Sequence, residues 1–255
     1  MNDIPVQAIT FDLWDTIIRN DSDEPHRALR GLQPKRPTRI EAISRALGGG
    51  DGADFETVAA AFDVVNEQFT QAWLNEHVTW TMADRLERIL ELLRRSMSAS
   101  SQAELVSKLE GVEVHVPSEP IDGIAAVLEA LAAKVPLIVI SDTGMTPGWG
   151  LRAILEHWDL ARHFSGFVFS DEIGRCKPNR AVFEAAAAMA GQDLNAMVHI
   201  GDRDRNDVKG AQAVGMRAVL FTAVRDADKS STSADAVCES AEDLARLFEK
   251  IVTSA

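Results

Sequence analysis

The feature that most constrains this chain is a series of short apolar runs, each closing on a polar residue or a turn. VQAITF (6–11) ends at Asp12, LIVI (137–140) at Ser141, and MVHI (197–200) at Gly201-Asp202; FVF (167–169) and AVLF (218–221) are two more. Short runs of this kind, bounded by polar turns, read as strands buried on both faces, which is the condition of a parallel sheet. Helical periodicity fills the intervals at 121–132, 150–160, 180–190 and 207–214. Alternating strands and helices predict a doubly wound, Rossmann-like α/β domain.

In an open parallel sheet the carboxyl ends of the strands share one edge, and ligands bind there. Residues far apart in sequence are therefore expected to converge: carboxylates at Asp12, Asp202 and Asp207, a hydroxyl at Ser141 and an ammonium at Lys177. Carboxylates brought that close repel one another unless a cation compensates. Hard oxygen ligands from few protein groups suit Mg²⁺, which keeps waters and binds phosphate as well. Any one of these acids could be a solvated loop residue, since Asp+Glu number 39 against 26 Lys+Arg. Their recurrence at successive strand ends favours a site.

One stretch breaks the alternation. From Ile18 to Val116 no strand pattern stands out, and amphipathic helices are expected at 38–47, 55–77, 82–97 and 102–109, with GGGDG (48–52) and SMSASS (96–101) as connectors. This predicts a helical insertion at 18–117 in a core made of 1–17 and 118–255. DADKSSTSAD (226–235) reads as a mobile polar loop, and Ser240 with Asp243 as the start of a terminal helix reaching Ile251. The net charge of −13 argues against nucleic-acid and membrane-surface partners. The apolar run VPLIVI (135–140) is far short of the roughly 20 residues of a membrane span. MNDIPVQAITFDLWD has no basic leader region, so no signal peptide is expected, and Cys176 and Cys238 read as reduced thiols of a cytoplasmic protein.

TFDLWDTI (10–17), VISDTG (139–144), FSDEIGRCKPNRAVFEAA (169–186) and HIGDRDRNDVKGAQAVGM (199–216) together resemble the four ordered motifs of the haloacid dehalogenase-like hydrolase superfamily. The insertion also lies where that family carries its cap. The resemblance implies that Asp12 is a nucleophile attacking phosphorus to give an aspartyl-phosphate that water hydrolyses. It implies Mg²⁺ held by Asp12, Asp202, the main-chain carbonyl of Trp14 and Asp207, the last directly or through water. Ser141 would bond a phosphoryl oxygen and Lys177 would neutralise charge. Trp14, Ser141, Asp142, Thr143 and Lys177 are the candidate substrate contacts. The implied substrate is a small phosphorylated molecule, and the implied assembly a monomer or homodimer.

The sequence departs from that family in one place. Its phosphatases usually carry a second Asp two residues after the nucleophile, as acid and then base; here Trp14 stands there, and an indole cannot do acid–base work near neutral pH. Asp15 is one residue further on and either swings in or caps the following turn. Losing an acid–base group, typically worth about 10²–10⁴-fold, predicts slow turnover or restriction to good leaving groups. Trp14 also leaves other readings open. Dehalogenases of the superfamily carry an aromatic residue at this position, but they lose the acidic fourth motif that Asp202 and Asp207 retain. Phosphonate cleavage would need a cap lysine, Lys35 or Lys108. A phospholigand-binding protein without turnover is a further alternative.

Four lesser readings concern single residues. His199 is expected to be a packed core histidine, and Cys176 an incidental neighbour of Lys177, with a lowered pKa as the alternative. Trp73 and Trp80 are expected to lie between helices of the insertion, with either facing the substrate as the alternative. Arg27, Arg30, Lys35, Arg36 and Arg39 are expected to form a solvated basic face.

Overall fold

The computed structural model describes residues 5–50 and 53–252. Six parallel strands, β1 (Ala8–Phe11), β2 (Leu137–Ser141), β3 (Gly166–Phe169), β4 (Met197–Gly201), β5 (Arg217–Phe221) and β6 (Ala236–Cys238), form one sheet in the order β3-β2-β1-β4-β5-β6. Five follow the apolar runs. The sixth is not among them, because an apolar run of three residues, AVC, next to a polar stretch is too short to show a strand pattern. The polar segment before it, expected to be mobile, is tied down. Thr232 Oγ1 donates to Asp204 Oδ1 at 2.6 Å, Asp204 N to Asp228 Oδ2 at 3.1 Å, and Ala218 N to Asp235 Oδ2 at 2.8 Å.

Between β1 and β2 the chain is helical: α1 (Asp23–Leu29), α2 (Lys35–Ala46), α3 (Phe55–Glu76), α4 (Met82–Leu93), α5 (Ala99–Glu110) and α6 (Val112–His115). The first and last of these are too short to show a period. After them come α7 (Ile124–Ala132), α8 (Gly148–His157), α9 (Ser170–Ile173), α10 (Arg180–Ala190), α11 (Lys209–Ala213) and α12 (Ala241–Val252). The expected GGGDG connector falls partly outside the described residues. Ser240 and Asp243 close a reciprocal cap at the start of α12, Asp243 N donating to Ser240 Oγ and Glu239 N to Asp243 Oδ2.

Alternation along the strands splits the core into two apolar layers. Ile9, Phe11, Val139 and Ile200 face α7, α8 and α12, while Ala8, Ile138, Ile140 and Leu220 face α10 and α11. The helical insertion holds a third cluster built on Ile43, Phe62, Val65, Leu86, Ile89 and Leu109. The chain leaves and re-enters the core at adjacent points: Arg19 N donates to Glu119 O at 2.8 Å and Ile121 N to Ile17 O at 2.9 Å.

The expected basic face is corrected by the structure. Arg30 and Arg36 are exposed, but Arg27, Lys35 and Arg39 are buried. Lys35 Nζ lies 2.8 Å from Asp21 Oδ1, 2.8 Å from Asp23 Oδ1 and 3.2 Å from Glu113 Oε1. Burial opposes its charge, but Glu113, Asp21 and Asp23 overcome that and hold it protonated. Glu113 also accepts from the Thr146 hydroxyl, which ties α6 to the loop before α8.

Candidate active site

Asp12 follows β1 where the sheet order runs to β2 on one side and β4 on the other, so the loops after these strands diverge and leave a crevice. Its N–H donates to Ile200 O at 2.8 Å, which continues the ladder past the strand and fixes the side chain at the edge. Asp202 leaves β4, and Asp207 follows in a wide π-type turn over Asp204–Val208. A methyl group on Gly201 would overlap the Asp207 carboxyl, so only glycine lets that side chain fold back over the strand end. One carboxylate oxygen from each of Asp12, Asp202 and Asp207 lies within 4.8 Å of the others, and all three residues are buried.

Lys177 arrives from the loop between α9 and α10 and bridges two of the three. Its Nζ donates to Asp12 Oδ1 at 2.5 Å and to Asp207 Oδ1 at 2.6 Å. Asp207 also accepts from Arg203 N at 2.9 Å through Oδ2, and meets His199 Nε2 at 3.1 Å through Oδ1. Asp12, Asp202, Asp207 and Lys177 thus come from three separate segments: the loop after β1, the turn after β4 and the loop between α9 and α10.

Electrostatics sort the three acids. Burial pushes the Asp12 carboxyl well above its ordinary value despite Lys177, and Asp207 and Asp202 add to the rise. Burial and then Asp207 push Asp202 up to about 7. Asp207 goes the other way: burial opposes its charge, but Lys177 and His199 hold it below the usual carboxylate range. Lys177 stays protonated because Asp12, Asp207 and Asp142 outweigh its desolvation. The protein therefore compensates Asp207 most fully, while Asp12 shares Lys177 with it and Asp202 has only the Arg203 guanidinium, its Nε 3.8 Å away. Asp202 Oδ2 is buried with no hydrogen-bond partner, as an oxygen reserved for an ion or a water would be. The set fits Mg²⁺: hard oxygen donors, few in number, with both Asp207 oxygens already turned to protein donors.

The remaining candidates divide. Asp142 lines the cleft, where it accepts from Lys177 N at 2.8 Å, Asn206 Nδ2 at 3.2 Å and Trp73 Nε1 at 3.2 Å. Trp14 lines it too. Ser141 ends β2 with its hydroxyl buried and unpartnered. Thr143 is not brought in: its hydroxyl accepts from Asp171 N at 3.1 Å and meets Ser170 Oγ at 3.0 Å, joining two loops instead. Asp15 is likewise outside the cleft. It sits at φ 55°, and its carboxylate accepts from Asn20 N at 2.9 Å, the turn-capping alternative.

Two residues, His199 and Asn206, go beyond the sequence reading, and Trp73 takes the alternative that faces the cleft. His199 is buried in the sheet as expected, with Phe183 edge-on at 5.4 Å, yet it also touches the acids. Trp73 reaches out of the helical layer into the cleft. Asn206 lies inside the fourth motif and was passed over. The Cys176 alternative is overturned: burial, with Asp142 adding to it, pushes the thiol up to about 12. Trp80 packs on Phe69 and under Arg88, as expected of a tryptophan between helices.

The model of the haloacid dehalogenase-like hydrolases matches residues 6–215, and the chain belongs to this family. A curated relative, the haloacid dehalogenase-like hydrolase domain-containing protein 3 of Bos taurus, is 24% identical over 85% of this chain and 82% of its own length. Among solved structures, a HAD phosphatase from Thermococcus onnurineus is similar with a TM-score of 0.64 at 21% identity, covering 95% of this chain and 97% of its own. A 2-haloacid dehalogenase from Pseudomonas syringae pv. Tomato DC3000 is similar with a TM-score of 0.62 at 23% identity, covering 98% and 100%. The shared fold thus spans both chemistries. Among the described residues no helix is long and apolar enough to cross a membrane.

Proposed function

We propose that this chain is a Mg²⁺-dependent hydrolase of small phosphorylated molecules, with Asp12 as nucleophile. The observation that carries the reading is the buried trio of Asp12, Asp202 and Asp207 with one lysine shared between two of them and one oxygen left unpartnered. Asp12, Asp202 and the main-chain carbonyl of Trp14 would hold the metal, with Asp207 acting through water. Bound Mg²⁺ supplies the positive charge that lets a carboxylate and an anionic phosphoryl group approach each other.

The protein's own part is positioning and charge. One Asp12 oxygen attacks phosphorus, the bond to the leaving oxygen breaks, and an aspartyl-phosphate forms. Lys177, held protonated beside Asp12, balances the charge in both states. Ser141, with its unpaired hydroxyl at the strand end, donates to a phosphoryl oxygen. Water then attacks phosphorus and releases phosphate and Asp12. No carboxylate stands at position 14 to protonate the leaving oxygen, and Asp15 faces its own turn. Leaving groups of low basicity, such as the carboxylate of an acyl phosphate, are therefore favoured. The helical segment 18–117 serves as the cap on a core of 1–17 and 118–255.

Trp14 supports a second reading, carbon–halogen hydrolysis of 2-haloacids. Three buried carboxylates beside a carboxylate substrate oppose it. Phosphonate cleavage loses both its lysines: Lys35 is locked between acids, and Lys108 is an exposed helix residue paired with Glu104. Phosphate release from acetyl phosphate, with Mg²⁺ and with chelator, tests the proposal. We expect Mg²⁺-dependent release that Asp12→Asn abolishes. Halide release from 2-chloropropionate in chelator would overturn it in favour of the second reading. Metal-dependent phosphate binding without turnover would leave a binding protein.

A further inference from the structure

The cleft over the acids is small, about 100 Å³. Ligand pockets usually run to roughly 300–1,000 Å³, and a single benzene fills an engineered cavity of about 150 Å³. The space at the strand ends therefore takes a phosphoryl group and few further atoms. Part of what makes it small comes from the helical segment. Trp73, near the end of α3, lines the cleft together with Trp14, and its Nε1 donates to Asp142 Oδ2 at 3.2 Å. The Arg203 guanidinium lies 5.9 Å from the Trp73 ring, on the same cleft wall.

This indole is held from both sides. The chain just after it is bonded to the two connections that carry Lys177 and Asp207, the one between β3 and α10 and the turn after β4. Arg205 donates to Leu74 O, Cys176 N to His77 O at 3.1 Å, and Thr79 Oγ1 to Ser170 Oγ at 2.7 Å. Asp142 Oδ2 in turn accepts from Asn206 Nδ2, so the acceptor that holds Trp73 is itself fixed by the fourth-motif turn. An indole so placed is a wall of the cleft.

We propose that Trp73 is the specificity-determining residue of this site: its ring closes the cleft to leaving groups larger than a few heavy atoms. This restricts the substrate to compact phosphates such as short-chain acyl phosphates. The inference rests on the phosphoryl-transfer reading and adds a size limit to it.

The experiment compares wild type, Trp73→Ala and Trp73→Phe with Mg²⁺ on two substrates, acetyl phosphate and p-nitrophenyl phosphate, both with good leaving groups. The expected result is that the kcat/KM ratio of the aryl to the acetyl compound rises tenfold or more in Trp73→Ala. It should stay within about threefold of wild type in Trp73→Phe, which keeps the bulk without the N–H. A second readout is calorimetric affinity for phenylphosphonate relative to inorganic phosphate, which needs no turnover and should shift in the same direction. If acetyl phosphate is hydrolysed but neither ratio moves in Trp73→Ala, the size limit is overturned and phosphoryl transfer stands. If nothing is hydrolysed but the binding ratio shifts, phosphoryl transfer fails and the size limit stands. Equal rises in both variants overturn the volume argument, because the hydrogen bond alone would then exclude the larger group.

Discussion

At His199 a single imidazole joins the sheet interior to the acids. Burial lowers its pKa, so the ring is neutral, and Asp207 Oδ1 as an acceptor places the proton on Nε2. Nδ1 is then left to accept from Thr10 Oγ1, 2.7 Å away. The pair Thr10–His199 spends polar groups inside an apolar layer in order to fix one oxygen of Asp207. His199→Phe removes one of three donors to Asp207 and leaves the Thr10 hydroxyl only a long contact, 3.4 Å, to Val198 O. Each unsatisfied buried group costs about 1–3 kcal/mol. The expected outcome is a lower urea midpoint at unchanged slope, and a midpoint equal to that of wild type would show that the contact carries no weight.

Among the elements, α1, α2 and α6 meet on buried charge rather than on an apolar seam. Lys35 neutralises Asp23 and Glu113, which are buried with it. Lys35→Met leaves Asp23 without its cation and Glu113 with only Arg39, 3.9 Å away, and breaking a buried pair of this kind costs about 3–5 kcal/mol. Arg36, one residue further on, pairs with Asp63 at the surface, where such pairs are worth about 0–1 kcal/mol. Thermal unfolding of the two variants should therefore separate them widely, Lys35→Met well below wild type and Arg36→Ala close to it. Equal small losses would mean that the buried network is hydrated and weak.

For the molecule as a whole, the partly compensated acids make stability depend on pH and metal together. The Asp202 carboxyl moves from its ordinary 3.8 up to about 7, driven by burial and by Asp207. The folded chain then holds that proton more tightly than the unfolded chain. Its contribution to stability is complete below about pH 4 and is lost as pH rises through about 7. Asp12 shifts in the same direction and adds to the loss. In chelator the melting temperature should fall across that interval, and the gain on adding Mg²⁺ should be larger near pH 8 than near pH 5. A metal gain that is flat with pH would remove these acids from the binding site.

Much of this was legible in the primary chain, because a strand buried on both faces is apolar at nearly every position and ends where polarity returns. That rule alone located β1 to β5 and placed Asp12, Asp202 and the Lys177 loop along one edge. It could not find β6, which is only three residues long, nor α1 and α6, which are shorter than two helical turns. Asp15 and Thr143 have chemistry suited to the cleft, yet only local backbone direction decided that one faces Asn20 and the other Ser170. Lys35 reads as a surface cation until Asp23 and Glu113 are seen around it. Trp73 and Asp142 are separated by 69 residues and joined by one hydrogen bond. Composition and periodicity report what a residue does to its own segment. Which segments face each other across a cleft is set by how the helical layer docks on the sheet, and that is a property of the folded chain.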